Sequence, residues 1–216
     1  MTRVLLTGFD TFAGEASNPS WEAVRLVAAE PGAAADLEVT AVRLSCVYGT
    51  ALDELRSAVE RVDPGLVVCV GQAGGRPDVT VERIAINVDD ARIPDNAGRQ
   101  PIDVPIVETG PAAYFAGLPI KACVAAARAA GVPASVSSTA GTFVCNHVFY
   151  GLMHLIATER PTTRGGFVHV PFASEQVADR AVASLPLPAI ADALRAIVTT
   201  AATRTTDITA QGGSTH

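Results

Sequence analysis

Hydrophobic positions along the chain alternate between short continuous runs and longer stretches with helical spacing. Six apolar runs, most of them bounded by Gly or Pro, are predicted as strands at 3–9, 37–44, 65–72, 79–87, 133–139 and 166–172. Five intervening stretches are predicted as helices at 20–30, 48–63, 112–131, 145–160 and 187–202. Continuous apolar strands suit a sheet that is covered on both faces. The alternation therefore predicts an α/β fold, a three-layer α/β/α sandwich with a largely parallel, mixed central sheet.

Two stretches fit neither period. Residues 89–110 contain three prolines and five Asp or Glu and are predicted as a long loop, a feature that is usually functional in a compact domain. Residues 205–216 contain few apolar side chains and are predicted as a flexible C-terminal tail. No repeat or linker is visible, so residues 1–204 are predicted to form a single domain.

Composition and charge exclude several classes of partner. The 216 residues are 49% hydrophobic and 18% charged, with a net charge of −6 and no basic run, which argues against nucleic acid and anionic membranes as partners. The first apolar stretch ends at Gly8, which is too short for a signal-peptide core or a membrane span. The four cysteines lack C-x-x-C spacing, which predicts a reduced, cytoplasmic setting. Neither these cysteines nor the four histidines have zinc-ligand spacing, so no metal or cofactor is predicted.

One of the cysteines stands out as a candidate nucleophile. Cys69 and Cys123 lie inside apolar segments and are interpreted as core thiols, while Cys46, which follows a strand, stays open. Cys145 instead follows the small residues 140–142 and directly precedes helical apolar spacing. At a helix start, free N–H groups and the positive dipole end favour a thiolate and offer an oxyanion site. A buried structural thiol is the alternative for Cys145.

The base for this thiol does not come from its neighbour in the sequence. His147 lies two residues after Cys145, and on a helix such side chains do not face each other. His154 also falls on the opposite side, and His216 ends the tail. His169 remains, at the end of a predicted strand, where parallel sheets carry their sites. Its alternative role is that of a hydrogen-bonded core histidine.

A third group is expected to orient the imidazole. Alternation along 79–87 places Thr80, Glu82, Ile84 and Ile86 on one face, so that Glu82 is predicted to be partly buried and to need a partner. An ordinary edge-strand glutamate paired with an arginine is the alternative. The rival acids, in the following loop, are Asp89, Asp90 and Asp95.

Two glycine-bearing loops follow predicted strands. GQAGGR (71–76) matches neither G-x-G-x-x-G nor a Walker A sequence, so nucleotide binding has little support. In GFDTFAGEASNPS (8–20), Ser17, Asn18 and Ser20 are possible caps for the next helix. Phe9 and Phe12 in the same stretch either belong to the core or form the wall of a small apolar pocket.

With these residues in view, the chain resembles the pyrrolidone-carboxylate peptidase (pyroglutamyl-peptidase I) family of cytosolic cysteine exopeptidases over nearly its full length. The motifs that carry the resemblance are GFDTFAGEASNPS, GQAGGR, VERIAIN, ARIPDN, GPAAYF, LPIK, TAGTFVCNHVFYG and GFVHVPF. Two positions depart from the family pattern: Thr11, where proline is common, and Ala13, where glycine is common. The resemblance implies a Cys–His–Glu triad that falls on Cys145, His169 and Glu82.

The resemblance also implies a substrate and a reaction. The family removes an N-terminal pyroglutamyl residue from peptides through a thioester acyl-enzyme, with no metal or cofactor. The flat lactam is then expected to bind in a pocket whose residues are Phe9, Phe12, Phe143 and Val144 against its faces, Asn18 and Gln72 at its polar groups, and Arg92 near the oxyanion. Two alternatives stay open, a related cysteine amidase with another acyl substrate and a non-catalytic binding protein on the same scaffold. Apolar residues in 112–120 are compatible with a homo-oligomer, a dimer or a tetramer.

Overall fold

The computed structural model of this protein describes residues 1–30 and 36–213. The strands, β1 to β10 in chain order, are Thr2–Phe9, Leu37–Leu44, Leu66–Gln72, Val79–Glu82, Ile84–Ile86, Ala113–Phe115, Ala134–Ser137, Arg164–Val170, Phe172–Ala173 and Ser184–Leu185. The α-helices, α1 to α5, are Pro19–Ala29, Thr50–Val62, Ile120–Ala129, Val144–Glu159 and Leu187–Thr203. In the described ranges, no helix has both the length and the apolar character that a membrane crossing requires.

Six strands form the central sheet, in the order β2-β1-β3-β8-β4-β7. The four strands from β2 to β8 in this order pair in parallel. The fifth strand, β4, pairs antiparallel with β8 and parallel with β7. The predicted largely parallel, mixed sheet is therefore confirmed.

Helices cover both faces of this sheet. In β3, Val68 and Val70 pack into one apolar core with residues of α1, α3 and α5, whereas Val67 and Cys69 pack into a second core with α2 and α4. All four side chains are fully buried, because successive residues of a strand point to opposite faces and both faces are covered. The predicted three-layer α/β/α sandwich is confirmed.

The predicted strand VTVERIAIN is wrong as a single element. The chain leaves the central sheet at Arg83, whose N–H donates to the carbonyl of Ser137 and whose carbonyl accepts from the N–H of Ala116. The following strand, β5, pairs antiparallel with β6 in a separate two-stranded sheet. Ile84 and Ile86 therefore do not share the sheet face of Glu82. Period-two alternation does not detect such a change of sheet, since both halves are extended.

The predicted helix over 112–131 begins too early. Strand β6 occupies its start, and the helix itself begins only at Ile120. Between the two, the N–H of Gly117 donates to the carbonyl of Gly165 at 2.8 Å, which fastens the connection to β8. Pro119 then stands at the N-cap of α3, where its missing N–H and fixed φ are tolerated. The alanine-rich pattern hides this break.

Part of the C-terminal stretch contacts the domain. The carboxylate of Asp207 accepts hydrogen bonds from the N–H groups of Lys121 and Ala122 at 3.0 and 2.9 Å. These are orphan donors in the first turn of α3, so Asp207 caps that helix from outside. The flexibility of 205–216 stays a prediction, and His216 lies outside the described residues.

Candidate active site

The site lies where the carboxyl ends of the parallel strands meet. Phe9 ends β1, Gln72 ends β3, and His169 is the last residue but one of β8. A cavity of about 240 Å³ opens at this edge, as expected for ligand sites in parallel α/β sheets. The residues predicted for substrate binding all line it, together with two of the three predicted catalytic residues: Phe9, Phe12, Asn18, Gln72, Arg92, Phe143, Val144, Cys145 and His169.

Cys145 is the second residue of α4, whose N-cap is Phe143. The predicted position at a helix start is confirmed, and the N–H groups of the first turn have no intrahelical acceptor. The sulfur lies against β3 at Gly71, where an added Cβ would come within 2.6 Å of Sγ. Because Gly71 is the register partner of His169 on β8, the thiol is held over the strand next to the imidazole. Any side chain at Gly71 would displace the sulfur.

The imidazole of His169 is supported from behind by Glu82. The distance from His169 Nδ1 to Glu82 Oε1 is 2.8 Å, and the glutamate side chain is 0% exposed. Thr80 of β4 is the register partner of His169, and β4 runs antiparallel to β8. Glu82, two residues further, therefore lies deeper in the sheet on the same face. This hydrogen bond uses Nδ1 and leaves Nε2 on the side of the ring away from Glu82.

The protonation states suit a general base. Burial lowers the pKa of His169 more than the neighbouring Glu82 raises it. Burial acts to raise the pKa of Glu82, but the hydrogen bond from His169 and the charge of Arg76 hold it below the usual value. The pair at neutral pH is thus a neutral imidazole that donates Nδ1–H to a carboxylate. Nε2 is then an unprotonated acceptor.

The surroundings of Cys145 favour the protonated thiol over the thiolate. Burial raises its pKa, nearby Cys46 and Glu82 raise it further, and Arg76 opposes them only in part. The helix start, which favours the thiolate, acts in the opposite direction, and burial is the largest cause of the raised pKa. A thiol of this kind needs a base beside it in order to react.

Arg76 completes the support of Glu82, and sequence reasoning does not find it. Its Nη1 donates to Glu82 Oε1 at 2.7 Å and to Thr80 Oγ1 at 2.5 Å, while Nη2 donates to the carbonyl of Thr139 at 2.9 Å. The arginine pairing that the sequence offers as an alternative to a catalytic glutamate is therefore present alongside the histidine contact. The only signal in the sequence is that this arginine ends the motif GQAGGR.

One end of the cavity is an aromatic wall. The rings of Phe12 and Phe143 lie with centroids 6.3 Å apart, and Tyr48 packs edge-on against Phe143 at 5.6 Å. Phe9, which is buried, packs on Phe167 beneath the cavity floor. Such a wall suits a small, flat and uncharged group.

The two amide side chains predicted to contact the lactam, Asn18 and Gln72, differ in which of their hydrogen-bonding atoms are already engaged within the protein. Asn18 caps α1 through Oδ1, which accepts from Ser20 N–H at 3.0 Å and from the Ser20 hydroxyl at 2.7 Å, so it is the N-cap among the three predicted candidates. Its Nδ2 also donates to the Asp10 carbonyl at 2.9 Å, which leaves one amide hydrogen. Gln72 Oε1 accepts from Gln176 Nε2 at 3.2 Å, which leaves the Gln72 amide nitrogen as the donor of a residue that lines the cavity.

The loop around Phe12 has an unusual backbone. Ala13 has φ +53°, in the left-handed region that favours glycine, the residue common there in the family that the sequence resembles. Thr11 uses the N–H that a proline would lack, donating to Asp10 Oδ1 at 3.1 Å. Its carbonyl accepts from Asn96 Nδ2 at 2.8 Å, which ties the pocket loop to the 89–110 loop.

The long loop also supplies part of the cavity rim. The N–H of Asp90 donates to the Thr142 carbonyl at 2.9 Å, and the Thr142 hydroxyl returns a bond to the Asp90 carbonyl at 2.7 Å. These bonds hold Arg92 at the cavity. The lining residues that sequence reasoning does not find are Cys46, Asp90, Ile93, Ala140 and Thr142. Burial, with Asp95 and Asp10, raises the pKa of Cys46 to about 12, and these neighbours include no imidazole to take its proton, so its thiol forms part of the wall and is a poor nucleophile.

The two residues that follow Cys145 hold the fold around the site. Asn146 is fully buried, and its amide makes hydrogen bonds with the backbone N–H and carbonyl of Ile86. His147 Nδ1 lies 2.8 Å from Asp89 Oδ2, and Nε2 accepts from Gly49 N–H at 3.0 Å. Both ring nitrogens are thus occupied away from the thiol. His154, the other helical candidate, contacts Tyr114 through Nδ1 at 2.9 Å.

The comparisons with known proteins agree with this geometry. A family model described as pyroglutamyl peptidase matches residues 2–204. A pyrrolidone-carboxylate peptidase of Streptomyces coelicolor is 63% identical over 218 residues, with 100% of both chains covered. The crystal structure of pyroglutamyl peptidase I from Bacillus amyloliquefaciens matches with a TM-score of 0.94 at 47% identity, covering 97% of this chain and 99% of that one. A pyrrolidone carboxyl peptidase from Thermococcus litoralis matches with a TM-score of 0.87 at 35% identity, covering 93% of each chain.

Proposed function

We propose that this chain, which belongs to the pyroglutamyl peptidase family, performs the family's reaction with Cys145 as nucleophile, His169 as general base and acid, and Glu82 as the group that orients His169. The chain is a cysteine-type hydrolase that removes N-terminal pyroglutamate from peptides. One observation carries the assignment of roles: the Cys145 thiol and the buried His169–Glu82 pair meet at the wall of one small apolar cavity.

Acylation begins from neutral partners. The Cys145 thiol transfers its proton to His169 Nε2 as the sulfur attacks the carbonyl carbon of the pyroglutamyl residue, and a C–S bond forms. Glu82 stabilises the imidazolium that results, through the 2.8 Å hydrogen bond at Nδ1. The C–N bond then breaks as His169 gives its proton to the leaving amine. The remaining peptide departs and a thioester is left on Cys145.

Deacylation repeats these steps with water. His169 Nε2 takes a proton from a water molecule as its oxygen attacks the thioester carbon. The C–S bond breaks, the sulfur recovers the proton from His169, and pyroglutamate is released. In both half-reactions the oxyanion faces the free N–H groups at the start of α4, and the Arg92 side chain at the cavity adds positive charge.

The cavity wall provides a physical basis for selecting the lactam. Phe12, Phe143 and Val144 offer apolar contacts to a flat ring, and the amide nitrogen of Gln72 offers a hydrogen bond to its carbonyl. An ordinary N-terminal residue would bring a charged amine against this apolar wall, where its desolvation is costly. Substrates are therefore discriminated by the cost of desolvating that charge as well as by contact.

A comparison of three coumarin amides tests this function. The purified chain is expected to hydrolyse the pyroglutamyl amide with kcat/KM at least about 10²-fold above that for the prolyl and glutamyl amides. The prolyl group has the same ring size but has a cationic nitrogen and lacks the lactam carbonyl. The measurement is fluorescence release under initial-rate conditions. Equal hydrolysis of prolyl and pyroglutamyl amides, or no hydrolysis of either, would contradict the proposal.

Location and assembly are further parts of the proposal. A cytoplasmic location is supported by the four cysteines, all of which are free, since a nucleophilic thiol must stay reduced. Self-association as a dimer or tetramer is supported by the exposed apolar side chains of Phe115 and Ile102, which are 69% and 72% exposed. Sedimentation velocity over a range of concentrations is expected to show an oligomer. A sedimentation coefficient that stays at the monomer value throughout would contradict this.

A further inference from the structure

We propose that Arg76 is a positioning residue for the reaction, because its single guanidinium fixes Glu82 beneath His169 and also holds the loop that leads into Cys145. This inference rests on the roles proposed above for Cys145, His169 and Glu82. It adds a fourth side chain to the machinery, one that supports the reacting groups and does not line the cavity.

The carboxylate of Glu82 depends on Arg76 for its orientation. Oε1 alone accepts from both His169 Nδ1, at 2.8 Å, and Arg76 Nη1, at 2.7 Å. Oε2 is buried and has no hydrogen-bond partner among the described residues. If Arg76 were absent, the carboxylate would keep the contact with His169, a 3.5 Å contact with Thr80 and the neighbouring Ser137 hydroxyl. It would lose the charged donor that holds Oε1 beneath the imidazole.

The same guanidinium reaches the loop before the nucleophile. Its Nη2 donates to the carbonyl of Thr139 at 2.9 Å, and the Thr139 hydroxyl accepts from the N–H of Gly141. Residues 140 and 142–144 line the cavity and run directly into Cys145. The planar fork of arginine thus connects the end of β4 to the loop that precedes α4, two segments that are far apart in the sequence. A lysine at Arg76 could not make both contacts.

The charge of Arg76 also acts on the two groups that exchange the proton. The groups acting on the pKa of His169 are Glu82, which raises it, and Arg76, which lowers it. For Cys145 the charged or ionisable neighbours are Cys46, Glu82 and Cys69, which raise the pKa, and Arg76, which lowers it. Removing this cation should therefore raise the pKa of both the imidazole and the thiol.

The sign of the effect on activity follows from the protonation states that the reaction needs. Catalysis needs His169 neutral and Glu82 ionised, so the acid limb of kcat/KM reports their protonation in the free enzyme. Arg76 lowers the pKa of both residues. Loss of Arg76 therefore moves the acid limb to higher pH. A purely structural role for Arg76 would lower stability without moving this limb.

The test compares Arg76→Gln with Arg76→Lys. We expect kcat of Arg76→Gln to fall about 10²-fold with little change in KM, since the arginine does not touch the substrate cavity. Its acid limb and the pH midpoint of Cys145 alkylation by iodoacetamide should both move to higher pH. Arg76→Lys keeps the cation, so we expect pH midpoints close to wild type but a low kcat. The matched control is Arg56→Gln, which removes a two-pronged ion pair with Glu159 elsewhere and should change neither quantity.

The outcomes separate this inference from the proposed function. A folded Arg76→Gln with wild-type kcat and pH midpoints, or with a raised KM and unchanged kcat, would overturn the positioning role. If Arg76→Gln shows no cooperative melting transition, a folded Arg76→Lys with wild-type kcat overturns it instead. Alkylation does not require turnover. If the wild type is alkylated but does not hydrolyse the pyroglutamyl amide, the pyroglutamyl assignment is refuted. A higher pH midpoint of alkylation in Arg76→Gln would in that case still support the role of Arg76.

Discussion

Replacement of Cys145 by alanine is expected to abolish hydrolysis of the pyroglutamyl amide, with kcat lowered at least about 10⁴-fold. The sulfur is the only group proposed to form a bond with substrate, and it lies against Gly71, the register partner of His169. The fold should tolerate the change, because Cys145 lies at the wall of a cavity and alanine is smaller. Fluorescence assays on wild type and variant at matched concentrations measure the effect.

The cavity contains its own control for this substitution. Cys46 lines the same cavity, but the ionisable groups that raise its pKa beyond the effect of burial are Asp95 and Asp10, not an imidazole that could take its proton, so it should not act as a nucleophile. Cys46→Ala is therefore expected to stay active. Intact mass after brief treatment with iodoacetamide should show one rapid addition to wild type and to Cys46→Ala, and none to Cys145→Ala. Retained turnover in Cys145→Ala, or its complete loss in Cys46→Ala alone, would contradict the assignment of the nucleophile.

The layered fold could be predicted from the sequence because a strand that is buried on both faces is apolar at consecutive positions. LVVCV is apolar at every position, and the structure buries alternate residues of this run in two different cores. The prediction failed where local pattern and tertiary path diverge. At Arg83 an extended chain passes from one sheet to another without any change in period, and before Pro119 an alanine-rich run conceals a short strand. Hydrogen bonds to residues distant in the sequence determine both the change of sheet at Arg83 and the short strand before Pro119.

The sequence predicted where the site residues lie along their helix and strand, but it did not predict the pKa shift of Cys145. The helix start at Cys145 and the strand end at His169 follow from hydrophobic spacing, and both are confirmed. The net pKa shift of Cys145 depends instead on how much solvent the surrounding elements exclude, which no local pattern records. Arg76 was missed for a related reason, since its partners Glu82 and Thr139 come close to it only in the folded chain.

Replacement of His169 by glutamine is expected to lower kcat about 10⁴-fold or more, with the protein still folded. The imidazole is proposed to accept the thiol proton and return it to the leaving amine, and glutamine can do neither. His147 provides a matched histidine in the same fold. Each ring has Nδ1 2.8 Å from a buried carboxylate, Glu82 for His169 and Asp89 for His147. The two pairs differ in what the second ring nitrogen faces.

In His147, Nε2 already accepts the N–H of Gly49, so that this ring fastens the start of α2 to α4 and has no lone pair left for a substrate. His147→Gln should therefore keep kcat near wild type but lose about 1–3 kcal/mol of unfolding free energy, because buried partners are left unpaired. Urea unfolding and initial rates on both variants separate the roles. A stable but inactive His147→Gln, together with an active His169→Gln, would reverse the assignment and make the neighbour of Cys145 its base.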